Sequence, residues 1–508
     1  MPANTPFMAE IELKFITPRH AVNAFADNVI PALTQLGMQV ATAQQMQLQN
    51  DYYDTPEHDF QKHKIGFRVR GNDGVFEQTL KTRGKISGGL HERAEYNIDL
   101  DEATPDLTLF DASVWPKGFK ASAANARLER QFSTNFARTA YDVSYNGSVV
   151  EVVLDEGEAT TGKAQSPINE IELELKQGEV SAVFAIAEVI NSILPVTVSD
   201  VSKAAQGYQL LNGVKAHTDP MPDFLPLPPQ VSTEQAFTAA AQQALTHWQH
   251  HEHLYLQTGS VKMLGEVARS IRLLLQCVSL YLPVLQCPQL LELHSLLMKY
   301  TPQWLWQDDL QSLRYLASRK SLFNKCLSRH PSLQSYIQGR KAGLVQAHDP
   351  EGLFYSTQST EIKLCVTRLL HELPWRQEAN HYATPAIEHA RGWLSQGWQT
   401  VQQSMPSARS MAAANYTAVE IVLRQTLWNG YLLADLFNGE KEAFRAPWLD
   451  ILTGIEELKA LTMLETMIED VEPDNAAELN EWVAQKTRSL LTVMERTRLM
   501  GMQGETYW

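Results

Sequence analysis

The sequence predicts an α+β protein in two parts, a mainly antiparallel β-sheet followed by an all-α half. Three observations carry that reading. Short stretches of alternating apolar and polar residues, separated by turn dipeptides, fill most of residues 1–213. Five prolines between Pro220 and Pro229 mark a stiff, extended connection. Beyond it, the apolar residues recur at three- and four-residue spacing.

Taken in order, residues 20–37 have helical spacing and end at Gly37, a C-cap signal. Alternating runs then cover Ile65–Arg70, Val75–Lys81, Ala94–Leu100, Phe136–Tyr145, Val149–Leu154 and Ile168–Lys176. Asn72-Asp73-Gly74 and Asn146-Gly147 join consecutive runs as hairpin turns, which implies antiparallel neighbours. Val180–Ile193 reads as a second helix. The domain boundaries expected are 1–213 for the sheet domain, 214–230 for the linker and 231–508 for the helical domain. Ser232 to Gln235 forms a capping box that opens the first helix of the latter. Glu234–Gln257, Val261–Leu282 and Asn415–Phe437 follow as long amphipathic segments, punctuated by Pro283, Pro302, Pro331 and Pro374.

Composition is that of a globular protein, 44% apolar and 20% charged with 11 tryptophans. The net charge of −15, split as −10 over residues 1–213 and −5 over the rest, argues against nucleic-acid or anionic-membrane partners. No uninterrupted apolar run reaches the roughly 18–20 residues that span a bilayer. Residues Met1 to Phe7 lack the pattern of a secretory signal, and Met1 and Met8 are both possible starts. Cys277, Cys287, Cys326 and Cys365 are scattered without metal-ligand spacing, as expected of reduced thiols in a cytoplasmic protein.

The charges of the sheet carry the chemistry. Glu10, Glu12 and Lys14 alternate with Ile11 and Leu13 and share one strand face. Arg68 and Arg70 share another, as do Glu77, Thr79 and Lys81, and later Glu170, Glu172 and Glu174. Carboxylates about 7 Å apart on one face repel each other. Divalent cations, or lysine and arginine opposite them, would relieve that repulsion. Hard cations take carboxylate oxygens together with phosphate, and arginine and lysine take phosphate oxygens. Patterning alone leaves two alternatives open: a lining for a metal–polyphosphate complex, and a solvent face meshed by cross-strand salt bridges.

Glu10-Ile-Glu12-Leu-Lys14 resembles the ExExK signature of the CYTH superfamily, also called the triphosphate tunnel metalloenzymes. Further segments resemble that family in order and spacing: Asp51-Tyr52-Tyr53-Asp54-Thr55-Pro56, Phe67-Arg68-Val69-Arg70, Thr79-Leu80-Lys81, Gly88 to Glu95, Leu154 to Gly157, Glu170 to Glu174, and Ser202-Lys203 with Gly207-Tyr208. They span residues 8–213. The resemblance implies an eight-stranded antiparallel barrel whose tunnel holds a triphosphate. Lys14, Arg68, Arg70, Lys81, Arg93, Arg138 and Lys203 would hold the phosphates. Glu10, Glu12, Asp155, Glu170 and Glu172 would hold Mg²⁺ or Mn²⁺, with Glu174 assisting. Glu170, Glu172 and Lys14 would be catalytic, one carboxylate or a second metal activating water. Gln206 stands where the family has arginine. Tyr52 and Tyr53 either orient Lys14 or fill core space. Ile11 and Leu13 should then pack outside the barrel wall.

The helical half resembles the CHAD arrangement, but its basic-helix signature is eroded. Aligned on Arg272, its histidine position is Lys262 and its first arginine is Gly265; Arg269 survives and Ser270 replaces another arginine. The second copy, near Leu427 to Phe437, has lost its basic residues. Polyphosphate is therefore the minority ligand for this half, beside a protein partner. The cluster His247, His250, His251 and His253 lacks a metal-site order and reads as an ordinary helix face. Together these point to hydrolysis of inorganic triphosphate to phosphate and pyrophosphate. Thiamine triphosphate hydrolysis, class IV-type adenylate cyclisation and non-catalytic polyphosphate binding are the rivals.

Overall fold

The computed structural model describes residues 8–18, 24–321 and 323–508; the start of the expected helix at 20–37 and the residues before Met8 lie outside them. The chain forms two compact units. The first comprises the sequence to His217 together with residues 256–259 and 354–371, and the second comprises the remainder.

The first unit is built on eleven strands: β1 (Met8–Ile16), β2 (Gln39–Val40), β3 (Gln44–Asp54), β4 (Gly66–Asn72), β5 (Val75–Lys81), β6 (Lys85–Ser87), β7 (Leu90–Leu100), β8 (Glu129–Tyr145), β9 (Ser148–Thr160), β10 (Gln165–Gln177) and β11 (Thr197–Val198). Eight of them close in the order β1-β10-β9-β8-β3-β4-β5-β7, and β7 pairs back to β1, while β2, β6 and β11 are appended to that ring. Every pairing is antiparallel. Closure leaves no open edge in the ring. Both hairpin dipeptides do what their residue types allow: Asp73 and Gly74 have φ of 47° and 84°, and Asn146 and Gly147 have φ of 48° and 77°.

Alternation sorts the side chains. Leu13 and Phe15 point out of the barrel into a core with Val150, Val152, Ile171 and Leu173, covered by the helix Ser181–Ile193. Ile11 packs against the same core, so the apolar residues of the first strand lie outside the wall as expected. The charged residues between them face inward. The expected helix at 20–37 divides into a π-helical turn, Phe25–Val29, and an α-helix, Ile30–Gln35, with Pro31 near the latter's start.

Two family-like segments prove to hold the barrel together. Asp54 is fully buried, and its carboxylate accepts from the backbone N–H groups of Thr55, Phe60 and Gln61 at 2.7, 2.9 and 3.1 Å. Tyr208 donates its hydroxyl to the same carboxylate at 2.7 Å. Gly207 sits against Phe132, whose ring stacks on Tyr52 and meets Tyr208 edge-on. A Cβ at Gly207 would lie 2.0 Å from that ring.

The second unit is helical, with long helices Thr233–Thr258, Lys262–Leu285, Ala413–Leu433, Lys441–Val471 and Ala476–Gly501. Lys262–Leu285 is long and apolar enough to cross a membrane by length and composition, and half of its apolar window is buried within the protein. The four cysteines are free thiols. His247 and His251 are core residues: His247 pairs through its two ring nitrogens with Ser270 Oγ at 2.8 Å and the Asp219 carbonyl at 3.0 Å, and His251 Nε2 accepts from Asp219 N–H at 3.2 Å.

Replacing a helical glycine by alanine ordinarily adds up to about 1 kcal/mol of stability. At position 207 the clash with Phe132 reverses that sign, and Gly207→Ala is expected to destabilise the protein by about 1–3 kcal/mol in denaturant unfolding.

Candidate active site

The inward faces of the eight strands enclose a cavity of about 1190 Å³. All seven residues expected to hold phosphate line it: Lys14, Arg68, Arg70, Lys81, Arg93, Arg138 and Lys203. Of the expected metal ligands, Glu10, Glu12 and Glu172 line it too, while Asp155 and Glu170 are buried in its wall behind them. Lys203 reaches the barrel from outside the strands. It is the first residue of the helix Lys203–Asn212, which Ser202 caps by accepting from Ala205 N–H.

The charges fall into three groups. In the first, Asp155, Glu170 and Glu172 bring carboxylate oxygens within 4.8 Å of one another. Lys203 Nζ lies 2.7 Å from an oxygen of each. Lys14 Nζ contacts Glu170 and Glu172 at 3.1 and 2.9 Å, and Arg138 forks onto Asp155 at 2.7 and 2.6 Å and reaches Glu172 at 3.0 Å. Burial opposes the charge on Glu172, but Lys203, Lys14 and Arg138 outweigh it and hold the carboxyl well below its usual range. Burial likewise opposes the Lys203 ammonium, which the three carboxylates hold well above the lysine range.

The second group joins Glu10, Glu12 and Glu95 to Lys81 and Arg93. Lys81 lies 2.7 Å from Glu10 and 2.8 Å from Glu95, and Arg93 lies 3.3 Å from Glu10 and 3.7 Å from Glu12. Burial, against the pull of Lys81, pushes the Glu10 carboxyl up to about 7. Burial and Glu172 push the same way on Glu12, but Lys14, Lys81 and Arg93 bring it below the usual value. Glu12 Oε1 is buried with no hydrogen-bond partner, a lone pair available to a ligand.

In the third group, positive charge is least compensated. Arg68 approaches Glu95 only to 4.0 Å, and Arg70 donates to the neutral Asn50 at 2.9 Å. Burial, with Arg68 and Arg138 nearby, lowers the Arg70 guanidinium to about 10. Like charges held together in a cavity make a place for an anion.

Tyr52, Tyr53, Gln206 and Glu174 have partners of their own. Tyr52 stacks on Phe132 beside Arg68, while Tyr53 packs with Phe67. Gln206 does not line the cavity and donates to Ser166 Oγ and the Pro167 carbonyl, tying its helix to β10. Glu174 pairs with Lys176 at 2.9 Å. Glu95, His91 and Asp200 also line the cavity. The alternation of β7 that places Arg93 inside places His91 and Glu95 with it. Asp200 follows β11, where no periodicity marks it.

In the helical unit, Arg272 pairs with Asp308 at 2.9 Å. Lys459 bridges Glu420 and Asp308, and Arg424 contacts Glu420 and Glu456 at 2.7 and 3.3 Å. Of the two arginines that the basic-helix signature keeps, Arg272 is thus paired with Asp308, while Arg269 is half exposed and lies 3.7 Å from Glu266.

Comparisons with known proteins fall mainly on the barrel. A family model described as the CYTH domain matches residues 8–208. An inorganic triphosphatase of Haemophilus influenzae is 38% identical over 167 residues, 33% of this chain and 47% of that protein. The chain thus spans about half the length of the curated relative it matches. Among solved structures, a putative adenylyl cyclase from Hippeastrum, described as having a dominant triphosphatase activity, is 19% identical and covers 39% of this chain and 95% of its own, with a TM-score of 0.29. The CHAD domain from Ricinus communis is 14% identical and covers 56% of this chain and 96% of its own, with a TM-score of 0.43.

Burial pushes the Asp200 carboxyl up to about 6, partly offset by the bond it accepts from Gly89 N–H. A carboxyl raised on folding adds stability below its unfolded value of about 4, and that contribution is lost as pH rises through the folded value. Asp200→Asn, which cannot ionise, is therefore expected to gain stability relative to the parent between pH 4.5 and pH 7.5, as read by denaturant midpoints.

Proposed function

With residues 8–208 a CYTH domain as the premise, we propose that this protein is a divalent-metal-dependent hydrolase that converts inorganic triphosphate to phosphate and pyrophosphate within its barrel. One observation carries the reading: a carboxylate triad, presented to the cavity through Glu172, and an under-compensated arginine cluster belong to the same cavity.

The donor set fits a hard cation. Asp155, Glu170 and Glu172 offer only oxygen, and the unpartnered Oε1 of Glu12 adds another. When bound, Mg²⁺ or Mn²⁺ would neutralise phosphate charge and polarise the phosphorus under attack. The chain's own residues do the rest. Arg68, Arg70 and Arg138 take the phosphate oxygens, which lets the guanidinium groups shed their mutual repulsion. Lys81 and Arg93 extend the same binding along the second group. A carboxylate of Glu170 or Glu172 orients water and accepts its proton as the water oxygen bonds to a terminal phosphorus. The bridging P–O bond breaks and its electrons leave with pyrophosphate, whose charge Lys14 and Lys203 offset. Phosphoryl transfer needs little more than such positioning and charge stabilisation.

Phosphate chemistry is assigned to the barrel, where all seven residues expected to hold phosphate line one cavity, whereas the basic-helix signature of the helical half keeps Arg269 and Arg272 alone. A net charge of −15 supports the absence of nucleic-acid and membrane partners.

The test gives the purified chain triphosphate, ATP, thiamine triphosphate and long-chain polyphosphate with Mg²⁺ or Mn²⁺, following phosphate and cyclic AMP. Turnover of triphosphate ahead of the others is expected; tight polyphosphate binding without turnover of anything would overturn the proposal. Glu170→Gln and Lys81→Ala should each lower kcat/KM by about a hundredfold or more with the fold intact. Lys203 supplies a reading independent of turnover. Its ammonium holds the carboxylates a cation would take, so Lys203→Met should bind Mn²⁺ about tenfold more tightly without substrate, by calorimetry, while losing triphosphate affinity.

A further inference from the structure

The helix Thr357–Glu372 lies far along the sequence from the barrel, yet residues 354–371 belong to the same compact unit. Its buried face is unusual. Thr360, Lys363 and Thr367, at positions i, i+3 and i+7, are all fully buried, with Leu364 the apolar member of that face. A helix that merely covered an apolar surface would bury apolar residues there. This one presents hydroxyls and an ammonium, and buried polar groups persist where they are bonded.

Their partners are two segments beside β1, residues 196–197 and Gly88. Thr360 donates to the Val196 carbonyl at 2.5 Å, and Lys363 donates to Thr197 Oγ1 at 2.7 Å. Thr367 Oγ1 lies 3.1 Å from the Gly88 carbonyl and 2.8 Å from the Lys363 carbonyl of its own helix. Asn191 and Thr357 exchange bonds at the helix start, Asn191 Nδ2 to the Thr357 carbonyl at 3.0 Å and Thr357 Oγ1 to the Asn191 carbonyl at 3.3 Å.

Those two segments bracket Lys14. Its N–H donates to the Gly89 carbonyl at 3.1 Å, and its carbonyl accepts from Ser199 N–H at 3.0 Å. The segments also interlock. Gly89 N–H donates to Asp200 at 2.5 Å, and Gly89, at a φ of +83°, leaves room for Val198 Cγ1 where a Cβ would come within 2.1 Å. From Lys14 the path continues to Glu170 and Glu172. We propose that the helix Thr357–Glu372 is a positioning element of the tunnel: Thr360 and Thr367 fix the 196–200 segment and the Gly88–Gly89 turn, and through them the lysine at the carboxylate triad. The functional part of this inference rests on the tunnel being the triphosphate site.

The test uses the full chain with Thr360→Val, Thr367→Val and their double, beside Thr360→Ser/Thr367→Ser, which keeps both hydroxyls. Hydrogen exchange at the Lys14 and Ser199 amides should quicken about tenfold in the double valine variant, with the global unfolding midpoint little changed. Its triphosphate KM should rise more than its kcat falls, and the double serine variant should restore both to within about twofold of the parent. Unchanged exchange at both amides would overturn the inference, as would a serine pair as impaired as the valine pair. Should the double valine variant not fold, Thr367→Val alone is read in the same way. Parent protein that hydrolyses no triphosphate would overturn the proposed function and leave the exchange measurement to decide the role of the helix.

Discussion

The barrel depends on mutual neutralisation of charges that no single partner could stabilise. Three carboxylates whose oxygens lie within 4.8 Å of one another would repel strongly by themselves. Lys203 at 2.7 Å from each, with Lys14 and Arg138 alongside, offsets that repulsion. The arrangement ties function to packing: the groups that would meet a phosphate or a cation also offset one another's buried charge. A cation entering there would compete with an ammonium, and a phosphate would recruit one.

That dependence explains what could be read directly from the sequence. Alternation along β1, β7 and β10 is enforced by closure, since a one-residue slip would turn every charge outward. So Glu10, Glu12 and Lys14, or Glu170 and Glu172, can be placed on one face from the sequence alone. Patterning could not say which face was inside, and the resemblance to a tunnel family supplied it. The hairpins at Asp73-Gly74 and Asn146-Gly147 were legible because left-handed backbone selects those residue types. Asp54, Gly207 and Tyr208 were legible as a motif but not as a purpose: their bond to one another spans more than 150 positions and leaves no local periodicity.

The helix Thr357–Glu372 was the least legible element. Its mean spacing is that of its neighbours in the helical half, and nothing in Thr360, Lys363 or Thr367 announces that their acceptors are the Val196 carbonyl, the Thr197 hydroxyl and the Gly88 carbonyl. Propensity sets that a helix forms there; only tertiary contact sets which body it joins. The histidines show the converse. Their sequence cluster invites a metal, but Ser270 and the backbone of Asp219 already satisfy His247 and His251.

Barrel closure has a temporal consequence. β1 pairs with β10, so residue 12 meets residue 174, and Asp54 waits for Tyr208. During synthesis the first strand must therefore stay unpaired on that side until most of the sheet domain has left the ribosome. Pairings of such long sequence separation are slow to form and leave apolar strands exposed in the interval. The segment around Val196 and the Gly88–Gly89 turn wait longer still, because Thr360 and Thr367 emerge some 160 residues after Val196. Of the whole barrel, the end that holds Lys14 is thus the last to be finished.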